Sequence, residues 1–303
     1  MISRLRQSLE SNVGVVLVIL AGCSWGLISI FIRQFNAAKF DTWDVMFYRS
    51  WVSVFMLLVY FLLVDRKLLK INLKDIWMFI GTGIFSLTFF SYCYFNAIVM
   101  LGTSVAVVLL YTSPIFILFM SMVLFKEKIT KVKALAVAMT FAGCVLVAGI
   151  VGAGDNGRIS GFGLLMGLGA GFGYALYSIF AGFAMKKYSS LTITFYTFLF
   201  SGISVLFFRN PVKLISGTGA DMIKWIIGIA FICTVFPYIT YTAGMKKTEI
   251  SKAAVLVTVE PLVGSLIGIF AWGEDAGIAK IIGIALILSS VVLLSMPEKK
   301  KEN

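Results

Sequence analysis

The runs SVAVVLLYTSP at 104–114 and SKAAVLVTVEP at 251–261 decide the fold, because they are two versions of one segment. At a constant offset of 147, Ser104, Ala106, Val108, Leu109, Pro114, Glu127 and Lys133 pair with Ser251, Ala253, Val255, Leu256, Pro261, Glu274 and Lys280. Apolar helices align with one another by accident. A shared Ser…Pro…Glu…Lys spacing does not. Working outward, Gly22, Trp25, Ser29, Ile30 and Phe31 align with Gly171, Tyr174, Ser178, Ile179 and Phe180 at an offset of 149. Phe47-Tyr48 matches Phe195-Tyr196 at 148, and Phe90-x-Tyr92 matches Phe236-x-Tyr238 at 146. The second half of the chain repeats the first.

The composition says in which solvent the repeats fold. Of 303 residues, 60% are hydrophobic and 13% are charged, with a mean hydropathy of +0.98. Soluble domains run at roughly 45–50% apolar and about 25% charged. This chain cannot cover a globular surface with polar groups, and intrinsic disorder needs the opposite composition. The solvent is a bilayer. There is no histidine, which removes Ser-His-Asp and Cys-His catalysis and histidine metal sites. Cys23, Cys93, Cys144 and Cys233 are scattered through apolar runs, so they read as packing residues rather than disulfide or zinc ligands.

A spanning helix needs about 20 mostly apolar residues. Ten such segments are expected: Val13–Ile32, Trp43–Val64, Ile76–Ile98, Thr103–Leu124, Ala134–Ile150, Gly161–Met185, Leu191–Phe208, Met222–Met245, Ser251–Trp272 and Ala276–Met296. With the N-terminus placed in the cytoplasm, 18 Lys and Arg fall on the inner side and 7 on the outer, and Arg49 lies within the second span. That bias places both termini in the cytoplasm and the chain in the inner or plasma membrane. The net charge of +12 is then a topology signal, and no nucleic-acid partner is expected. Arg4, Arg6 and the run Leu20-Ala21-Gly22-Cys23 imitate a lipoprotein signal, but Trp25-Gly26-Leu27-Ile28 continues the apolar run, so the first span is expected to stay.

Residues 1–150 and 151–303 thus form two repeats of five helices. An odd number of crossings turns the second repeat upside down relative to the first, and inverted repeats with a site at the midplane are the architecture of secondary transporters. The arrangement resembles the drug/metabolite transporter superfamily, specifically the EamA-type ten-helix exporters. The resemblance rests on Ser113-Pro114…Phe125-Lys126-Glu127 and Glu260-Pro261…Trp272-Gly273-Glu274. It also rests on the glycine-bearing fifth helices (Gly143, Gly283) and on Phe47-Tyr48-Arg49. It covers essentially the whole chain. It implies export of small metabolites, often amino acids, with some members taking up other compounds.

Charge inside a span costs about 2.5–3.5 kcal/mol on insertion scales. Glu260, near the middle of the ninth span, and Arg49, in the second, are the two such residues. Their repeat mates, Ser113 and Thr197, are neutral. Glu260 suits a proton or a substrate ammonium, and Arg49 a carboxylate. Both also suit a structural role, paired or hydrogen-bonded to neighbouring helices, and Arg49 also suits snorkelling to the headgroups. Pro114 and Pro261 free the carbonyls of residues 110 and 257 for a cavity or a hinge, or leave a fixed kink. Trp25, Tyr111, Tyr174 and Tyr177 lie at mid-membrane depth and call for a polar cavity. The stripes Thr88–Tyr92–Asn96 and Thr234–Tyr238–Thr242 are expected to face a lumen. Tyr92 and Tyr238, and likewise Tyr48 and Tyr196, fall at opposite ends and suit either gates or interfacial belts. Gly163, Gly167 and Gly171, Gly22 with Gly26, and Gly264 with Gly268 mark close helix packing. Glu127 and Glu274 read as caps or surface pairs.

The glycine-rich stretch 161–173 lacks the Lys-Ser/Thr of a phosphate-binding loop. Transport driven by bound nucleotide is not expected, nor is any cofactor or metal. The leading expectation is an all-α secondary transporter working by alternating access on a small-molecule substrate, with protons as the candidate coupling ion and amino-acid export first. Import of a vitamin, nucleoside or sugar-like compound comes second. A channel or a membrane-embedded enzyme is less well supported, and oligomeric state is open.

Overall fold

The computed structural model describes the backbone of residues 2–148, 160–273 and 277–295, with side chains from residue 12 onward. Every regular element among them is helical. Eight stretches are long and apolar enough to cross a membrane. They are Asn12–Ala37 (α1), Thr42–Leu63 (α2), Leu73–Leu101 (α3), Thr103–Phe125 (α4), Gly161–Ala184 (α6), Ala220–Met245 (α8), Ile250–Trp272 (α9) and Ile278–Ser295 (α10). Two shorter helices complete the order, Lys131–Val147 (α5) and Ser190–Val205 (α7). Among the described residues, eight of the ten expected spans thus meet the length and composition of a membrane crossing. At 17 and 16 residues, α5 and α7 reach about 26 and 24 Å, short of a 30 Å hydrocarbon core. Ala276 and Met296, the expected limits of the last span, lie outside the described residues, as does Glu274.

Helix ends follow local chemistry. Asp41 opens α2 by accepting from the Trp43 and Asp44 amides, and Asp44 returns the bond to the Asp41 amide. The equivalent Ser189 opens α7 on the Thr192 amide. α4 and α9 both end in a left-handed residue, Lys126 (φ 57°) and Gly273 (φ 67°), at an offset of 147. Only the second repeat uses the glycine that this conformation favours.

The halves interleave. α1 packs along α8 and against α9, and its mate α6 packs along α3 and against α4. α2 lies on α7, α4 on α9 and α5 on α10, each helix on its own counterpart. Lipid gives apolar side chains no reason to leave it, so these contacts depend on close approach and on hydrogen bonds. Both are visible. A Cβ on Gly143 would lie 2.8 Å from the Gly283 carbonyl oxygen, and one on Gly283 would lie 2.6 Å from that of Gly143. Thr140 and Ser290 hydroxyls meet at 2.8 Å across the same seam. Gly81 receives the ring of Phe180, and Gly228 receives that of Phe31, at an offset of 147 in the one helix and 149 in the other.

Two pairs of helices are irregular at equivalent depths. α4 is broken at Tyr111-Thr112 and α9 at Val257-Thr258, in each case just before the proline. The Thr112 and Thr258 hydroxyls turn back on the Leu109 and Val255 carbonyls. α3 and α8 each contain a wide π-helical stretch, Gly81–Thr88 and Phe231–Val235. There the Thr88 hydroxyl donates to the Gly83 carbonyl (3.2 Å) and the Thr234 hydroxyl to that of Ile229 (2.8 Å), both five residues back. Such stretches commonly sit at functional sites.

Candidate functional site

Where α1, α3, α6 and α8 meet, a narrow cleft is lined by Trp25, Ser86, Phe90, Tyr174, Tyr177 and Tyr238, with Leu87, Ser178 and Tyr241. Its free space admits about one water molecule, so this conformation does not hold a metabolite there. The floor is aromatic. Trp25 meets Tyr238 edge-on at 5.1 Å and Tyr241 at 5.4 Å, and Tyr177 meets Tyr238 at 4.9 Å. Phe198 of α7 closes on Tyr238 from the other side at 4.9 Å. Polar ends are satisfied between helices: Tyr177 pairs with Thr242 at 2.8 Å and Tyr241 with Ser178 at 2.9 Å. One group is not. Ser86 is 1% exposed, and its hydroxyl has no hydrogen-bond partner among the described residues.

The two intramembrane charges flank this floor. Glu260 stands in the first turn of the second half of α9, next to the break, and the Tyr174 hydroxyl donates to it over a long 3.5 Å. Phe90 links Tyr174 (5.8 Å, edge-on) to Tyr94 (5.5 Å, stacked), so carboxylate and three rings form one wall. Arg49 reaches from α2 to the π-helical stretch of α8. Its Nε donates to the Thr234 hydroxyl at 3.0 Å and its Nη2 to the Cys233 carbonyl at 3.3 Å. Among the described residues, no carboxylate comes within ion-pair distance of Arg49 and no cation within that of Glu260. Both are half-buried, and Tyr238 lies within electrostatic reach of each.

Of the residues singled out from sequence, Trp25, Tyr174, Tyr177 and Tyr238 meet at the cleft, with Arg49 and Glu260 beside it. Tyr111 packs with Val259, Leu262 and Cys144 against the break in α9, and Ser113 is buried in the matching break of α4. The freed carbonyls do not open onto the cleft. That of Val257 faces Gly22, where a Cβ would come within 2.6 Å, and that of Leu110 faces Gly171, where it would come within 3.2 Å. Pro114 and Pro261 therefore break helices that rest on the glycines of α1 and α6.

Tyr92 departs from the expected stripe. It is 47% exposed and shares a face of α3 with the exposed Phe85, Phe89 and Val99, a lipid-facing row. The π-helical stretches of α3 and α8 differ in length and re-phase the residues that follow. Phe90 and Tyr94 take the inward positions, and Asn96 turns its amide onto the Tyr92 carbonyl. In sequence, Phe90 stands out only as a marker of the repeat, and Tyr94, Tyr241 and Ser86 do not stand out, although Tyr94 and Tyr241 match at an offset of 147. Gly264 also departs. A Cβ there would have its nearest neighbour at 3.9 Å, whereas Gly22, Gly26, Gly163, Gly167 and Gly171 are all closely covered.

Residues at the two ends tie connections down. Tyr48 bonds Thr218 (2.5 Å) and the Leu214 carbonyl in the segment before α8, and its mate Tyr196 donates to the Leu69 carbonyl (2.6 Å) before α3. Glu127 is a cap, and it caps the other repeat: its two oxygens accept from the Ile250 and Ser251 amides (2.7 and 3.0 Å) and the Ser251 hydroxyl. At that end Asp75 holds Lys187 and Tyr188, each at 2.7 Å, and the carboxylate raises the Lys187 ammonium above its usual range. At the other end Arg209 binds Asp41 and Asp44.

Known proteins place the chain more firmly. The model of the EamA-like transporter family matches twice, at residues 12–149 and 161–296. An "Uncharacterized transporter" of Archaeoglobus fulgidus is 28% identical over 285 residues, covering 92% of this chain and 95% of that one. The "Uncharacterized transporter YojE" of Bacillus subtilis is 24% identical and covers 97% of each. A crystal structure superposes with a TM-score of 0.77 at 18% identity, covering 92% of this chain and 95% of the other, which shows a shared fold.

Proposed function

The chain belongs to the EamA-like transporter family, and from that premise we propose that it is a secondary carrier exporting amino acids or related amphipathic compounds across the plasma membrane. Ten helices cross in two inverted five-helix repeats, divided near residue 150, and both termini are cytoplasmic. The observation that carries the reading is the pair of unpaired, opposite charges at one aromatic cleft, one from each repeat. Burying a lone charge is costly, and a solute bearing both signs neutralises both at once. In this mechanism the solute ammonium lies against Glu260 and the wall of Phe90, Tyr94 and Tyr174, where ring faces and carboxylate both favour a cation. Arg49 takes the solute carboxylate with the guanidinium hydrogens that Thr234 and Cys233 leave free. When no solute is bound, a proton on Glu260 neutralises it, which couples export to the proton gradient. The breaks at Pro114 and Pro261 let the halves of α4 and α9 tilt, so the cleft opens to one face at a time.

The full chain in proteoliposomes, given labelled amino acids on one side, is expected to show saturable counterflow. Linear, unsaturable flux would make it a channel, and product formation an enzyme. Glu260→Gln is expected to lower proton-coupled flux at least tenfold and flatten its pH profile. A wild-type rate and profile in that variant would overturn the role given to Glu260.

A further inference from the structure

The repeats are alike in sequence, yet the structure treats their two ends differently, and the difference is informative. On the end carrying Lys187 and Lys246, the half of α8 at Phe236–Met245 packs on α7. The equivalent half of α3, Phe89–Leu101, does not pack on α2 to a comparable degree. Hydrogen bonds follow the same division. Ser178 of α6 is bonded to Tyr241 of α8. Its repeat mate Ser29, in α1, has a buried hydroxyl with no hydrogen-bond partner among the described residues. Tyr241 and Tyr94 are matched tyrosines at an offset of 147, the offset kept both before them by Gly81 with Gly228 and after them by Ser104 with Ser251. The described residues offer the Tyr94 hydroxyl no hydrogen bond either.

An inverted pair of repeats has two equivalent ways to be asymmetric. In one, the second repeat adopts the closed packing and the first the open one. In the other, the roles exchange. The two states cost similar energy because each uses the same set of contacts, once at either face. The observed state has spent the Ser178–Tyr241 contact and left its counterpart unmade. Burying an unpartnered hydroxyl is costly, so a state that pairs Ser29 recovers part of what opening the other end loses.

We propose that Ser29 and Tyr94 form the outer gate of the transport cycle, closing by a hydroxyl-to-phenol bond when Ser178–Tyr241 opens. Tyr94 then leaves the wall beside Glu260 and covers it from the outer side. Tyr92, although it is the sequence match of Tyr238, stays on the lipid. The proposal rests on the carrier reading, and it needs no particular substrate.

The test uses the full chain in cells, with its four native cysteines replaced by alanine and a reporter Leu87→Cys in the cleft. Labelling by a membrane-impermeant maleimide added outside reads how often the outer end is open. Ser178→Ala and Tyr241→Phe weaken the closed inner end and are expected to lower outside labelling at least threefold. Ser29→Ala and Tyr94→Phe weaken only the state not seen here and are expected to raise or maintain it. Neither lowers the melting temperature in detergent, because neither hydroxyl has a hydrogen-bond partner among the described residues in this state. Counterflow falls in all four. Both pairs moving labelling in the same direction, or Ser29→Ala and Tyr94→Phe leaving counterflow at the wild-type rate, would overturn the assignment. A wild-type chain that labels fully from both faces, with no variant changing it, would instead overturn the carrier reading itself.

Discussion

At the scale of single residues, the cleft is notable for what it leaves unsatisfied. Tyr177 and Tyr241 are bonded to Thr242 and Ser178 of neighbouring helices, and Trp25 and Tyr238 are held by ring contacts. Ser86 is the lining hydroxyl that is wholly buried and without a partner among the described residues. A hydroxyl kept in that condition weakens the resting fold and strengthens whatever polar group later reaches it. Ser86→Ala should therefore leave thermal stability unchanged or raise it by about 1 kcal/mol. The apparent affinity for a counterflow substrate should fall by about 5–10-fold, the worth of one hydrogen bond. A structural role would lower stability and leave affinity alone, and that outcome would remove Ser86 from the site.

Among elements, the irregular helices matter most, and they mark the limit of what the sequence reveals. The expected helices, the two repeats and the inverse placement of Tyr48 and Tyr196 follow from apolar runs and a near-constant offset, and both are written in residue order. The prolines announced the breaks in α4 and α9. Their support was half legible: Gly22 and Gly171 were read as contact residues, but nothing in sequence says that a contact lies on the very carbonyl the proline frees. The lumen-facing stripe through Tyr92 does not form, because the π-helical stretches Gly81–Thr88 and Phe231–Val235 widen turns in a way that no composition signal records. The packing can be tested through the glycines. Gly22→Ala would place a methyl 2.5 Å from Val259 Cγ1 and 2.6 Å from the Val257 oxygen, forcing α1 off α9. A loss of about 1–3 kcal/mol is expected. Gly264→Ala, which has room, is expected to be neutral or stabilising by up to about 1 kcal/mol. Equal melting temperatures for the two variants in detergent would count against this packing.

For the molecule as a whole, interleaving is the dominant fact. α1 has its main partner in α8 and α6 has its own in α3, while Glu127 caps α9 and Tyr196 ties down the segment before α3. Neither repeat has an interior of its own. Residues 1–150 and 151–303 made as separate chains should therefore copurify when expressed together and be degraded when expressed alone. A first half that is stable and monodisperse by itself would contradict the interleaved packing. The same arrangement imposes a delay during synthesis. Between the emergence of α1 and the completion of α8, roughly two hundred residues must leave the ribosome, which takes about 10–40 s at ordinary elongation rates. Throughout that time the glycine face of α1 that is meant for α8 and α9 is bare in the lipid or held at the insertion machinery. Small residues make that face inert: it binds nothing well until a backbone of matching shape arrives. The glycines that let the finished helices touch are thus also what keeps a nascent helix from finding the wrong neighbour.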